Sequence, residues 1–378
     1  MRPDERDILQ TPINHFVAQH PSTEIVQLYK ETETLRSGYV IASIAGQGPD
    51  LVYGPSDPVG IYEAAHTLRP MEQLFAPDYL NAFDSSGLLW YKGHLYQVAD
   101  KVGNHLALVY NKKYISAPPE TDEELIALGK KIQIEYGSTG GRPNVYGLAW
   151  NYTEPFFFIP FFTGFGGWIF QADGVTPALD SPGMIAGLRY IQRLRDLERI
   201  VPNESDYEVA DALFKDGKTA MLINGDWSWA GYKEKGIDIG VAPLPKIVSS
   251  GLYCAPMTSP KGFSINANVA DEKLPLVVEV LTYFLSEENQ LETVRRLNTA
   301  PTRKSLYAHP EILSNEILKN SLIQIQRGRA MPVVAEMRAV WDAMRPSYQA
   351  VLGGAKKPEQ AARDMQALAE RKIKDMKE

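Results

Sequence analysis

Apolar positions recur at helical spacing through most of the chain, and short runs of β-branched and aromatic residues interrupt them. Met184, Ile185, Leu188, Ile191, Leu194 and Leu197 fall on one helical face, opened by Ser181-Pro182 as cap and first-turn proline. Leu125, Ile126, Leu128 and Ile132 mark another helix. It is entered through Thr121-Asp122-Glu123-Glu124, the pattern of a capping box, and stopped at Gly137. Thr32 to Ala45 reads as a helix, Ser286 opens a late one and Pro358 the last. Near the start, Thr11-Pro12 predicts a helix restart, with Thr11 as its cap. Ile25 to Tyr29 and Leu51 to Tyr53 read as strands, the second bounded by Gly48-Pro49-Asp50 and Gly54-Pro55-Ser56-Asp57. Alternating helix and strand predict an α/β protein of mostly parallel sheets flanked by helices.

At 378 residues the chain is too long for one ordinary core and suits two lobes. Proline and glycine punctuate the stretches Asp100 to Asn104, Pro256 to Gly262 and His309-Pro310, which are candidate crossings between lobes. Lobe I is expected to comprise 1–103 and 262–312, lobe II 104–261 and 313–378. The net charge of −7 and the absence of a basic stripe argue against nucleic acid as a partner. A single cysteine, Cys254, excludes a disulfide framework, and six scattered histidines offer no metal motif. No metal or cofactor is therefore expected. No apolar run approaches the ~20 residues that span a bilayer.

Several segments carry a resemblance. They are Gly48 to Asp57; Leu106-Ala107-Leu108-Val109-Tyr110-Asn111-Lys112 followed by Ala117-Pro118-Pro119; and Thr153-Glu154-Pro155-Phe156 followed by Gly164-Phe165-Gly166-Gly167. The strongest is Phe214 to Trp227, which includes Ala220-Met221-Leu222-Ile223-Asn224-Gly225-Asp226-Trp227. Met331-Pro332, with Trp341 and Arg345 downstream, is a looser match. In order and spacing these segments resemble the maltose/maltodextrin-binding proteins, the substrate-binding components of ABC importers. The resemblance runs from about Glu5 onward. It implies a two-lobed periplasmic-binding-protein-like fold of class II, with a hinge of several crossings and a cleft between the lobes.

The resemblance also implies a site and a mechanism. A sugar offers apolar ring faces and a rim of hydroxyls, so its site stacks aromatics and aims charged groups at the rim. Trp227, Trp341 and Phe156 match the family's stacking platforms, and Asp57, Glu154 and Arg345 its hydroxyl ligands. Pro155, Tyr207 and Met331 match further lining positions. Each has a plainer role open to it: Asp57 as cap of the helix at Pro58, Glu154 as cap of the next helix, Arg345 as a surface charge. Trp229, Trp90, Trp150 and Trp168 are assigned to packing. The implied protein is a non-catalytic monomer on the periplasmic or extracytoplasmic side of the membrane. It closes on maltose or maltodextrin and hands it to an ABC permease, either as a free protein or as a domain fused to that permease.

Departures from the family limit the substrate. Maltose-specific members carry tryptophan at Gly54, arginine at Pro58 and glutamate at Asn104. Trehalose, another oligosaccharide or glycerol phosphate are the alternatives on the same scaffold. By the resemblance, family members begin with a central strand and this chain starts just after it, so either a longer precursor or another segment is expected to supply that strand. Arg2 and Glu5 would then lie near the first-lobe sugar loop. A glycoside hydrolase built on Asp57 and Glu154 is the remote alternative.

Overall fold

The computed structural model describes residues 3–30 and 32–376. The chain divides into two compact units. The first comprises Met1–Asn104, Thr258–Lys319 and Met331–Ala335; the second comprises His105–Met257, Asn320–Ala330 and Glu336–Glu378. Residues 258–261 fall in the first unit because the strand Met257–Asn266 is unbroken there. Its Ser259, Pro260 and Lys261 pair with Gly103, Val102 and Lys101. His309-Pro310 carries no crossing. It opens the one-turn helix Pro310–Leu313, with His309 Nδ1 accepting from Glu311 N at 3.3 Å. The chain leaves the first unit at Lys319 instead, inside the helix Glu316–Arg327, and returns to it for 331–335.

In the first unit, Met257–Asn266 lies between Leu51–Pro55 and His94–Gly103, antiparallel to both, and Ala300–Pro301 pairs with the far side of His94–Gly103. The expectation of a mostly parallel sheet is therefore corrected. A strand from late in the chain returns and inserts between two early strands that share a direction. Leu88–Tyr91 adds a hairpin to His94–Gly103. Lys92 and Gly93 at its turn both have positive φ, the twist that two-residue hairpins favour. One face of the sheet buries Leu95, Val98, Phe263 and Ile265 against Ile13 and Phe16, and the other packs Val52 and Tyr96 with Tyr39 and Tyr62.

Two early elements differ from expectation. Pro3–Gln19 is one continuous helix with Pro12 inside it. A mid-helix proline costs about 3 kcal/mol, and here Ile8, Pro12, Ile13 and Phe16 are buried to offset it. Ile25 to Tyr29 forms no strand. Val26 and Leu28 are 67% and 73% exposed, while Ile25 packs against the core of the first unit.

In the second unit the order is Ile239–Ala242, Leu106–Asn111, Thr219–Gly225, Tyr146–Ala149, and only the last two run parallel among these pairs. Asp122–Tyr136 packs closely on this sheet. A Cβ on Gly147 would come within 2.5 Å of Gly129 Cα, so two glycines let the helix touch the strand. Its capping box is formed in full: Thr121 Oγ1 accepts from Glu124 N and the Glu124 carboxylate accepts from Thr121 N. Ser181, Ser286 and Pro358 open helices as expected. Leu197 does not extend the apolar face of Pro182–Asp196; it lies past the helix end and is 71% exposed.

Candidate functional site

The second unit gathers most of the candidate residues. Trp227 follows the strand Thr219–Gly225 in a tight turn, where Ser228 N and Ser228 Oγ both donate to Gly225 O, at 3.0 and 2.7 Å. The indole folds back over Gly225: a Cβ there would sit 2.2 Å from the ring, so no other residue fits beneath the platform. Asn224 Oδ1 accepts from Gly225 N at 2.9 Å, and Asn224 Nδ2 donates to the hydroxyls of Tyr207 and Tyr232. The turn is thus fixed by side chains of its own strand and of the helix Tyr207–Lys215.

Phe156 lies in the short 3-10 helix Pro155–Phe157. Its ring centroid is 6.1 Å from that of Trp227, tilted against it, and 6.5 Å from that of Trp341, edge-on to it. Phe157 sits 6.3 Å from Tyr207 and 6.5 Å from Trp227, edge-on to each. Phe157 was not singled out from the sequence. The run Phe156-Phe157-Phe158 held the signal, but which phenylalanine turns toward Trp227 depends on the backbone after Pro155.

The charged pair comes from two separate segments. Trp341 and Arg345 share the helix Glu336–Leu352. Arg345 Nη2 donates to Glu154 Oε2 at 2.9 Å, and Arg345 Nε is screened from solvent with no hydrogen-bond partner among the described residues. Glu154 precedes the 3-10 helix without capping it through its side chain. Below the pair, Tyr348 Oη accepts from Trp150 Nε1 at 3.0 Å. Burial pushes the Tyr348 phenol up, so it stays neutral and supports the helix. Glu154, Pro155, Phe156, Tyr207, Trp227, Trp341 and Arg345 all belong to the second unit.

Asp57 and Met331 belong to the first unit. Asp57 is buried and does not cap the following helix; its Oδ2 accepts from Arg36 Nη2. Beside it a pocket is lined by Leu35, Arg36, Gly54, Pro58, Gln97 and Ser264. A Cβ at Gly54 would meet nothing within 4 Å, so the backbone there borders open space. Met331 is buried, its N bonded to Thr258 O at 2.8 Å. Arg2 and the side chain of Glu5 lie outside the described residues. Among the tryptophans assigned to packing, Trp150 and Trp229 are fully buried, whereas Trp90 is 49% exposed on its hairpin and Trp168 lies under the Arg329 guanidinium.

Known proteins resemble this chain over most of its length. A maltose/maltodextrin-binding domain from Bdellovibrio bacteriovorus, solved with maltotriose bound, is 40% identical. It covers 99% of this chain and 98% of its own, at a TM-score of 0.94. The Thermus thermophilus maltotriose-binding protein, also bound to maltotriose, is 25% identical, covering 98% of this chain and 97% of its own, at a TM-score of 0.89. By sequence, the maltotriose-binding protein of Pyrococcus abyssi is 27% identical over 93% of this chain and 76% of its own length. The Bacillus subtilis galactooligosaccharide-binding protein is 25% identical over 87% and 78%. The fold is the two-lobed periplasmic-binding-protein fold. The family described as bacterial extracellular solute-binding protein matches residues 13–320, and the chain belongs to it.

Proposed function

We propose that this protein binds maltodextrins, with maltotriose as the reference ligand, and delivers them to an ABC transporter permease from the extracytoplasmic side of the membrane. The observation that carries this reading is the grouping of Phe156, Trp227 and Trp341 around the Arg345–Glu154 pair. Aromatic faces suit the C–H surfaces of glucose rings, and a guanidinium–carboxylate pair suits their hydroxyls. The relatives named for maltotriose support the choice of sugar. Asp57, Pro155, Tyr207 and Met331 complete the proposed set of ligand residues.

The protein acts as a binder and not as an enzyme. Glu154 and Asp57 are each tied to an arginine, which suits acceptors of sugar hydroxyls and not the proton donor that glycoside hydrolysis requires. Incubation with a labelled maltodextrin would release glucose if that assignment were wrong. Among the described residues no helix is long and apolar enough to cross a membrane.

A second sugar is favoured by one observation, the open space at Gly54 where maltose-specific proteins place a ring. Trehalose or another oligosaccharide would use that space differently. Titration calorimetry with maltose, maltotriose and trehalose tests both readings. Maltotriose is expected to bind at about micromolar strength, roughly −8 kcal/mol. A folded protein giving no heat with any of the three sugars would overturn the assignment.

A further inference from the structure

His105 opens the second unit and has no exposed surface. Its Nε2 lies 3.2 Å from Ser321 Oγ and its Nδ1 lies 3.7 Å from Asp226 Oδ2. Ser321 is fully buried and Asp226 is 5% exposed. The His105 Nδ1 is buried and makes no hydrogen bond among the described residues, and the Asp226 carboxylate stands just beyond that reach. Serine, histidine and aspartate stand in the order of a nucleophilic relay, although no local motif announces them. Ser321 sits buried on the helix Glu316–Arg327, so no substrate carbonyl can reach its oxygen, and the array serves no acyl transfer.

Its position gives it another use. Asp226 is the residue between Gly225 and Trp227. His105 O accepts from Asp226 N at 3.4 Å, and the ring's Nδ1 stands 3.7 Å from the carboxylate without a hydrogen bond to it. The imidazole also stands edge-on to Trp229, at 87° and 5.7 Å between centroids, just beyond the same turn. Asn224 and Ser228 tie the turn to its own strand; His105 ties it to the neighbouring strand Leu106–Asn111. We propose that His105 is a positioning residue for the Trp227 platform, setting the angle of the indole through Asp226. This rests on the sugar-binding reading, in which Trp227 stacks on the ligand.

Two amides separate the ring's two ends. Asn at 105 puts a donor where Nδ1 stands, facing Asp226, while Gln puts it where Nε2 stands, facing Ser321. Each variant is compared with the parent by calorimetry with maltotriose and by near-UV circular dichroism without sugar. The Trp227 band is identified by difference from Trp227→Phe. His105→Gln is expected to weaken binding about tenfold and to alter the Trp227 band. His105→Asn and Ser321→Ala are expected to stay within about threefold of the parent with the band unchanged. If His105→Gln does not fold, Asp226→Ala applies the same test from the other side of the contact. Equal affinity and an equal band in His105→Gln and the parent would overturn the proposal. So would losses that follow only the drop in melting temperature across all variants. If the parent itself binds no maltotriose, the sugar assignment fails, and the unliganded band still decides whether His105 orients Trp227.

Discussion

In the second unit Phe156 packs its ring near both Trp227 and Trp341, and Arg345 donates to Glu154. Sequence order could not reveal that Asp57 turns from its helix to Arg36, or that Phe157 reaches Trp227. Both depend on contacts between segments far apart in the chain. The platforms invite a direct test. Trp227→Ala is expected to weaken maltotriose binding at least about tenfold, or ~1.4 kcal/mol, by calorimetry; an unchanged affinity removes Trp227 from the site. Arg345 is the second. Its Nη2 holds Glu154 Oε2, and the planar fork of guanidinium donors fixes the direction of that carboxylate. Lysine cannot hold that fork. Arg345→Lys is therefore expected to cost about tenfold in maltotriose affinity, and binding equal to the parent would leave Arg345 a structural role alone.

Elements whose ends carry capping chemistry were read correctly because caps are local. Thr121, Ser181 and Ser286 each accept from a backbone N–H three residues on, which needs no knowledge of the rest of the fold. Thr121→Ala is expected to lower stability by about 1 kcal/mol, read as a lower denaturation midpoint at constant slope. The sense of strand pairing was misread because it is not local: Met257–Asn266 enters its sheet between strands over 150 residues earlier in the chain. Ile25 to Tyr29 has strand composition but no ladder. Contacts between elements also set a pH response. Glu198 follows the helix Pro182–Asp196 and binds Lys130 on Asp122–Tyr136 and Arg193 on its own helix. The hydrogen bond from Lys130, aided by Arg193, holds its carboxyl below the usual range despite desolvation. A depressed carboxyl contributes stability that is present above its unfolded pKa, about 4.3, and is lost as pH falls through the lower folded value. Glu198→Gln should therefore be less stable than the parent at neutral pH, with the difference shrinking below about pH 4. A difference that stays constant across that range would assign the effect to packing.

For the molecule as a whole, ligand binding should appear as stability. A sugar that binds only the native state stabilises it by RT ln(1 + [L]/Kd), about 2.7 kcal/mol at a hundredfold excess over Kd. In a chain of this length that raises the melting temperature by a few degrees, and the rise should continue with the logarithm of sugar concentration. Maltotriose is expected to produce this shift, and Trp227→Ala to remove most of it at the same concentration. The candidate residues belong to both units, so the experiment also reports on their division of labour. Asp57 is the first unit's charged candidate, held by Arg36 beside the space at Gly54. If the first unit contributes to binding, Asp57→Asn will shift less with maltotriose than the parent does, after correction for its own melting temperature. A shift equal to the parent's would confine the binding energy to the aromatic unit. The changes at Gly54, Pro58 and Asn104 would then be relaxed positions and not a recast specificity.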